Sequence, residues 1–416
     1  MNGLRKAGRV SGYLLSTAGS LIFGRRPPDP PEGAVGVAEL ERYAEKLVEI
    51  GRPPGLSLAV VKYGEIVYQK SFGLADGPKN IAVDADTVFQ WMSMSKIATA
   101  VAILQLHEKG ALALEDPVVE HLPFFKALQP SSDSEQITIS HLLNHSSGVA
   151  NPGRMFSLVH LDGQPYPDQV ELVEQLVAEY RRLKFEPGTQ ATYSNLGYTI
   201  LGAIVEAVTG QLHHEYVAEQ IFRPLGMENS NHVYTAPMRA NAAVGSQPRG
   251  NIYSALLTLI VDNPDHFIRD TVDGRLWFNR ASPDFSGGAG VNGPAVEVAL
   301  FAAAFLNGGA LNGGRILSSE SVQMMIYDEY VTAKNGAAAY YDGLKHGLGW
   351  FVWPDGDRHR IMHSGNGPGF SSIMQLYPEE GLGIIVMGNE WPYGVAFRGT
   401  AIRDCIAQVA ANIDWR

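Results

Sequence analysis

The sequence predicts an α/β (α+β) fold: an antiparallel sheet flanked by an N-terminal and a C-terminal helix, with a mostly helical domain inserted into the chain. Three observations predict it. Strand patterns occur near both ends of the chain, at 56–61 and 65–70 and again at 361–363, 371–377 and 382–387. Two strands near the N-terminus are too few for a stable sheet, so the two groups must pair. Between about 116 and 284 the apolar pattern turns mainly helical, and helix patterns flank the strands at 38–50 and 396–413.

The elements follow in order. Ala38–Val48 has helical periodicity, and Pro53-Pro54-Gly55 ends it. Leu56–Val61 and Glu65–Lys70 flank Tyr63-Gly64 as a hairpin. Trp91-Met92-Ser93-Met94-Ser95-Lys96 reads as a turn running into an apolar helix that stops at Lys109-Gly110. Ile137–Gly148 reads as a capped short helix closed by a glycine turn. Helices follow near 170–183 and at Gly197–Val208, the latter stopped by Gly210. Residues 235–284 are loop-rich and yield no ordered elements. A helix at Pro294–Leu306 precedes strands at 347–353, 361–363, 371–377 and 382–387, and a last helix closes the chain. The division expected is a leader or linker at 1–35, a sheet domain from 36–115 and 285–416, and a helical insert at 116–284.

Composition bounds the function. The 416 residues are 45% hydrophobic and 18% charged, which suits a globular protein with an ample core. A net charge of -11 argues against a nucleic-acid face, because phosphate binding needs clustered Lys and Arg. Cys405 is the only cysteine, so neither an internal disulfide nor a Cys-based metal site can form. That fits a reducing, cytoplasmic compartment; export without disulfides is the alternative. Arg5, Lys6 and Arg9 precede a short apolar run, Val10–Phe23, which resembles a signal h-region but is too short and too rich in Gly and Ser to span a membrane. Export signal, membrane-associating segment and mobile leader are the three readings of this stretch.

The chemistry centres on Ser93 and Lys96. At helical spacing their side chains lie on one side. A serine hydroxyl needs a base within hydrogen-bond reach, and a lysine serves when burial removes its proton. The helix N-terminus favours a developing oxyanion. Tyr193 and Asn195, in Tyr193-Ser194-Asn195, supply a proton shuttle and an amide that can both donate to and accept from a substrate. A lysine beside Tyr193 is expected to depress the pKa of its hydroxyl. In His363-Ser364-Gly365-Asn366-Gly367-Pro368-Gly369 the glycines, Gly365 among them, let backbone N–H groups approach a ligand, and the N–H of Asn366 can pair with that of Ser93 around an oxyanion. Standing alone, each motif also reads blandly, as a cap, a packed tyrosine or a hairpin loop.

Together, S-x-x-K, Y-x-N and H-x-G in this order resemble the serine β-lactamase and penicillin-binding-protein superfamily. The likeness is closest to the class C β-lactamase, D-aminopeptidase and esterase branch. Connecting segments match as well: Asp116-Pro117-Val118, His141–Gly148, Phe185-Glu186-Pro187-Gly188, Pro224-Leu225-Gly226-Met227, Asn307-Gly308-Gly309 and Gly347-Leu348-Gly349-Trp350. The resemblance covers about residues 36–410. One departure stands out. The family's β-lactamases carry K-T-G at the third motif, where a lysine helps to hold the substrate carboxylate, and here His363 takes that place. The resemblance therefore implies an esterase or peptidase rather than an efficient β-lactamase.

Other chemistries lack their signatures. No serine lies in a G-x-S-x-G elbow, and there is no H-E-x-x-H. The pairs His213 with His214 and His359 with His363 lack acidic ligands at suitable spacing, so no metal and no cofactor are expected. His141 and His145 read as structural. The expected function is a serine hydrolase working through an acyl-enzyme on a small ester or amide, with Ser93, Lys96 and Tyr193 catalytic and Asn195, His363, Gly365 and Asn366 binding substrate. An acyltransferase using the same serine and a catalytically inactive binding relative are the rivals.

Overall fold

Strands at the two ends of the chain do join. The computed structural model describes residues 28–31, 35–128, 136–180, 182–249, 266–327, 331–332, 344–353, 358–391 and 402–416. The leader pattern at Val10–Phe23 and the first residues of the closing helix lie outside them. Nine strands form the main antiparallel sheet: β1 (Gly55–Lys62), β2 (Glu65–Asp76), β3 (Ile81–Ala82), β4 (Val331–Thr332), β5 (Lys345–His346), β6 (Phe351–Trp353), β7 (Arg360–Gly367), β8 (Phe370–Tyr377) and β9 (Leu382–Gly388). Their order is β4-β5-β6-β7-β8-β9-β1-β2-β3. The join is β1 against β9, with Leu58 opposite Val386 and Ala59 opposite Ile385.

Helices cover both faces, which explains why β1, β8 and β9 are almost wholly buried. Strand side chains alternate between faces. Leu56, Leu58, Val60, Ile373, Ile384 and Val386 pack in a core with residues of α1 (Val37–Glu49) and the closing helix α8 (Ile402–Ala411). Ala59, Val61, Met374, Ile385 and Met387 point the other way, into a larger core with α2 (Ser95–Glu108) and α7 (Ala295–Leu306). α2 is apolar on every side and buried from Ser95 to Leu106.

Between the sheet halves lie α3 (Ile139–Leu143), α4 (Gln169–Glu179), α5 (Asn195–Thr209) and α6 (His213–Val217). Thr138 caps α3, accepting the backbone N–H of His141. Ser194 caps α5, and Gly210 ends it in the left-handed region at φ 69°. Among the described residues no helix is long and apolar enough to cross a membrane.

Three local expectations need correction. Residues 235–284 are not featureless: Ser246–Pro248, Arg275–Phe278 and Ile268–Val272 form a three-stranded sheet, and Ala281–Pro283 pairs with Val159–Leu161. The expected strand at 347–353 covers only Phe351–Trp353, because Gly347-Leu348-Gly349-Trp350 is a tight turn with Gly349 at φ 86°. The third motif is not a loop after a short strand: β7 runs on through Gly367, and Asn366 pairs with Ser371 across the hairpin.

Leu58 tests the sheet join, since it is fully buried at the pairing with Val386. Leu58→Ala is expected to cost about 2–5 kcal/mol, read as a lowered denaturation midpoint with an unchanged m-value. A loss below about 1 kcal/mol, the scale of a surface change, would show that this face is not the core.

Candidate active site

Ser93 sits in a 3-10 turn, Met92–Met94, that leads straight into α2. The turn is strained at one residue. Met92 has φ 51°, a region that non-glycine residues enter at a cost of about 1–3 kcal/mol and keep only when the surroundings enforce it. The enforcement is visible. Ser95 Oγ donates to the Met92 carbonyl at 2.7 Å, and Ser372 Oγ donates to the Trp91 carbonyl at 2.7 Å. The Trp91 N–H donates to Val291 O at 2.8 Å. β6 pairs with β7 only as far as Met362, so the rest of the β7 edge is left for this turn to pack against. Gly365 makes that approach possible: a Cβ there would stand 2.0 Å from the Trp91 carbonyl oxygen. The glycine therefore admits the turn that carries Ser93. Ser93 itself is half-buried, and its side chain makes no capping hydrogen bond to α2.

Lys96 is fully buried. Its Nζ lies 3.2 Å from Ser93 Oγ, 2.8 Å from Asn195 Oδ1 and 2.5 Å from the Gly288 carbonyl oxygen. Among the described residues no ion pair involves it. Burial pushes its pKa well below the usual lysine value, so the amine is driven toward neutrality. A neutral amine has two N–H bonds and one lone pair. The Asn195 and Gly288 oxygens can only accept, and together they take both N–H bonds. The lone pair is then left for the Ser93 hydroxyl proton, which is the arrangement a general base requires.

Tyr193 completes the contact. Its ring lies under the Lys96 Nζ, 4.9 Å from the centroid, and its hydroxyl interacts with Ser93. The expected depression of its pKa is reversed. Burial raises it, only partly countered by the hydrogen bond with Ser93, because a neutral lysine supplies no cation to favour tyrosinate. Lys96 and Tyr193 are both shifted toward their neutral forms.

The Tyr193 loop is fixed from below. Asn151 Oδ1 accepts the N–H of Asn195 at 2.6 Å and of Leu196 at 3.1 Å, while Asn151 Nδ2 donates to the Tyr193 carbonyl at 3.4 Å. His145 Nδ1 accepts the Ser194 N–H at 3.2 Å, and its ring packs on Tyr193 with centroids 4.6 Å apart. His145 is structural, as read from sequence; His141 has its place in the α3 capping box. Asn195, expected to orient substrate, places its side-chain oxygen against Lys96.

His363 is buried on β7, stacked on Phe351 with centroids 4.7 Å apart and planes at 19°. Its Nδ1 lies 3.0 Å from the Ser364 carbonyl and must donate to it, which leaves Nε2 as an acceptor with no partner among the described residues. Burial holds its pKa well below the histidine norm. The third motif thus carries a neutral ring where a lysine would carry charge. A cation reaches the same strand from elsewhere. Arg403 of α8 is buried and donates to the Gly365 carbonyl at 3.1 Å and to the Asn366 side-chain oxygen. The motifs gave no sign of Arg403 or Asn151. Among the described residues no group of His, Cys, Asp and Glu is placed to hold a metal.

A helical S-x-x-K turn packed against an antiparallel strand, with a Y-x-N loop over the lysine, defines the serine-active β-lactamase and penicillin-binding-protein class. The chain belongs to the Beta-lactamase family, which matches residues 40–406. It is 26% identical over 351 residues to Protein flp of Staphylococcus aureus, covering 84% of this chain and 62% of that protein. The chain thus spans less than two thirds of that relative. In fold it is similar to the octameric penicillin-binding protein homologue from Pyrococcus abyssi, with a TM-score of 0.70 and 24% identity over 91% of this chain and 77% of that one. It is also similar to EstCE1, a hydrolase with promiscuous acyltransferase activity, with a TM-score of 0.67 and 20% identity over 90% of this chain and 97% of that one.

The burial of Lys96 has a thermodynamic signature. Its pKa is depressed on folding, so the unfolded chain binds more protons between the folded value and 10.5, and stability rises with pH across that window. Lys96→Met removes the term. The stability of Lys96→Met relative to wild type is expected to be most favourable at the lower end of a series from about pH 6 to pH 9 and to shrink as pH rises. A difference that stays level with pH would mean that Lys96 keeps an ordinary pKa.

Proposed function

We propose that the protein hydrolyses a small ester or amide through an acyl-enzyme on Ser93. The observation that carries this reading is the Lys96 amine, whose two N–H bonds are occupied by Asn195 and Gly288 and whose remaining valence faces Ser93 Oγ. Lys96 takes the Ser93 proton as Oγ attacks the carbonyl. Tyr193 gives its own proton to the leaving group and is reprotonated from Lys96. The N–H groups of Ser93 and Asn366 bind the oxyanion. Asn195 holds the lysine, and His363 and Gly365 shape the wall on which substrate lies. Water then attacks the acyl group, with the same pair working in reverse.

Substrate size and charge follow from the walls. Beside Met92 lies a slot of about 70 Å3 lined by Phe278, Ala281, Pro283, Pro368 and Phe370, which suits a short apolar group. His363 offers no positive charge to a β-lactam carboxylate. Acyl transfer to an alcohol is the second reading; the half-exposed Ser93 leaves an acceptor a route in, and EstCE1 carries that activity in its name. Product analysis with and without added alcohol separates the two.

Ser93→Ala is expected to abolish both ester turnover and labelling by a fluorophosphonate probe. The hydroxyl makes no capping bond but pairs with Lys96 and Tyr193, so stability should fall by about 1–3 kcal/mol, the scale of a lost partner for buried polar groups, with the fold retained. Turnover surviving in folded Ser93→Ala would end this mechanism. A short-chain p-nitrophenyl ester should exceed a chromogenic cephalosporin by at least about tenfold in kcat/KM, or about 1.4 kcal/mol in transition-state binding; equal values would refute the reading of His363. Lys96→Ala and Tyr193→Phe should each slow acylation by about 10² or more. The double variant should lose far less than the product of the two, because either change disables the same relay. Multiplicative losses would mean independent roles.

A further inference from the structure

Behind Lys96, on the side away from Ser93, a second chain of hydrogen bonds runs through the molecule. Its centre is His213, at the start of α6 and fully buried. The His213 Nε2 lies 3.1 Å from Thr99 Oγ1, and its Nδ1 lies 3.1 Å from Ser286 Oγ. Thr99 is one turn along α2 from Lys96, and its hydroxyl donates to the Gly287 carbonyl at 2.7 Å. The next carbonyl, that of Gly288, accepts from Lys96.

The proton order along this chain is determined. Thr99 has one hydroxyl proton. Its short bond goes to Gly287 O, and a longer alternative of 3.5 Å goes to Ser95 O. With that proton on Gly287, Thr99 must accept from His213, so Nε2 carries the ring proton. Nδ1 is then the acceptor, and Ser286 Oγ donates to it. Burial lowers the His213 pKa to about 3, so one neutral tautomer persists across working pH. The backbone N–H of His213 is itself tied to Glu206 Oε1 at 2.9 Å, and Glu206 Oε2 accepts the Gln169 N–H at 2.9 Å.

The strip that this chain holds has little freedom elsewhere. A Cβ on Gly287 would stand 2.2 Å from the Tyr198 carbonyl oxygen. The Ser286 N–H donates to Gln169 Oε1 at 3.0 Å, and the Ser286 carbonyl accepts from His232 Nε2 at 3.1 Å. Ser286 is thus pinned on both sides, and Gly287 is pinned through Thr99. The peptides that carry the Gly287 and Gly288 carbonyls also give their N–H groups, those of Gly288 and Ala289, to the Phe285 carbonyl at 3.0 Å each, so the strip is held by Phe285 on one side and by Thr99 on the other.

We propose that His213 is a positioning residue for Lys96: by filling the acceptor side of Thr99 it commits the threonine proton to Gly287, and so aims the Gly288 carbonyl at the Lys96 amine. Without the His213 N–H, the Thr99 proton is free to turn back to Ser95 O within its own helix, an alternative that helical threonines commonly use. Gly287 then loses its donor, and the aim of the Gly288 carbonyl is left to the Phe285 side alone. The amine keeps one of its two holders, and its lone pair is no longer confined to Ser93. The inference rests on Lys96 acting as the base for Ser93.

The test uses the full chain and one activated short-chain ester. Fluorophosphonate labelling of wild type, and its absence in Ser93→Ala, is established first; failure at that stage removes the underlying reading. His213→Leu is then expected to lower kcat at least about tenfold, on the scale by which misplacing a catalytic group by about 1 Å costs up to about 10²-fold, with KM little changed. Its pH–rate profile should shift to a lower apparent pKa, because the ammonium form loses more than the amine does when a carbonyl acceptor turns away. His213→Gln, which keeps an N–H donor toward Thr99, should recover most of the rate and the wild-type profile. If His213→Leu does not fold, Thr99→Val and Thr99→Ser take its place: the valine variant should show the same loss and shift, and the serine variant should not. Wild-type kcat and profile in folded His213→Leu or Thr99→Val, with Ser93 labelling intact, would overturn this proposal and leave the Ser93 mechanism standing. Equal losses in His213→Leu and His213→Gln, with the profile unmoved in both, would overturn it too.

Discussion

The site depends on an amine kept out of water with its N–H bonds already assigned. Lys96 lies inside α2 where the helix is buried on every side, and a charged ammonium there would face desolvation with no counter-ion among the described residues. Neutrality is therefore a product of the fold, and orientation is a separate one. Two carbonyl-type oxygens, from Asn195 and Gly288, fix which way the lone pair points. The first comes from the start of α5 and the second from the strip before α7, so the lysine is where three parts of the chain meet. Placing the amine needs all three to be packed correctly, which ties the chemistry to the main core.

The serine is held by an opposite device. Lys96 is relaxed and buried, whereas Ser93 rides on a strained turn at the surface of the core. The left-handed Met92 is held by serine hydroxyls on either side and by the bare backbone of Gly365 and Gly367, where any side chain would strike Trp91 or Met92. β7 can serve here because β6 pairs with it only up to Phe351 opposite Met362, which leaves the rest of that edge without a strand among the described residues. A tight turn set against an open strand edge leaves Ser93 half-exposed.

Much of this was legible in the sequence, and the limit of legibility is physical. The strands that pair across more than three hundred residues, such as Leu58 with Val386, announce themselves by apolar runs with β-branched residues at both ends of the chain. Ser93, Lys96 and Tyr193 are legible because their chemistry belongs to their side chains. The short strands Ser246–Pro248 and Arg275–Phe278 are not, since three or four residues carry too little alternation to separate them from loop. Gly288 was invisible for a different reason: it contributes a backbone carbonyl, which every residue has. Asn151 and His213 act through contacts set by packing, and no local spacing marks them. The depressed Tyr193 pKa failed because it assumed a charged lysine, and the fold removes that charge.

The third motif shows how charge can be moved without leaving a site. A histidine stands where β-lactamases of this family carry lysine, and burial together with its bond to Ser364 keeps His363 neutral. Counting motif residues alone, the strand has lost its cation. Arg403 restores one from α8, held to the Gly365 carbonyl and the Asn366 side chain. The two arrangements are not equivalent. A flexible lysine on the strand presents a point charge to the space in front of it, whereas the Arg403 guanidinium is buried and engaged with the strand's own acceptors. Its charge is therefore shared between the acceptors of β7 and the neighbouring Asp404 carboxylate rather than presented to the space in front of the strand.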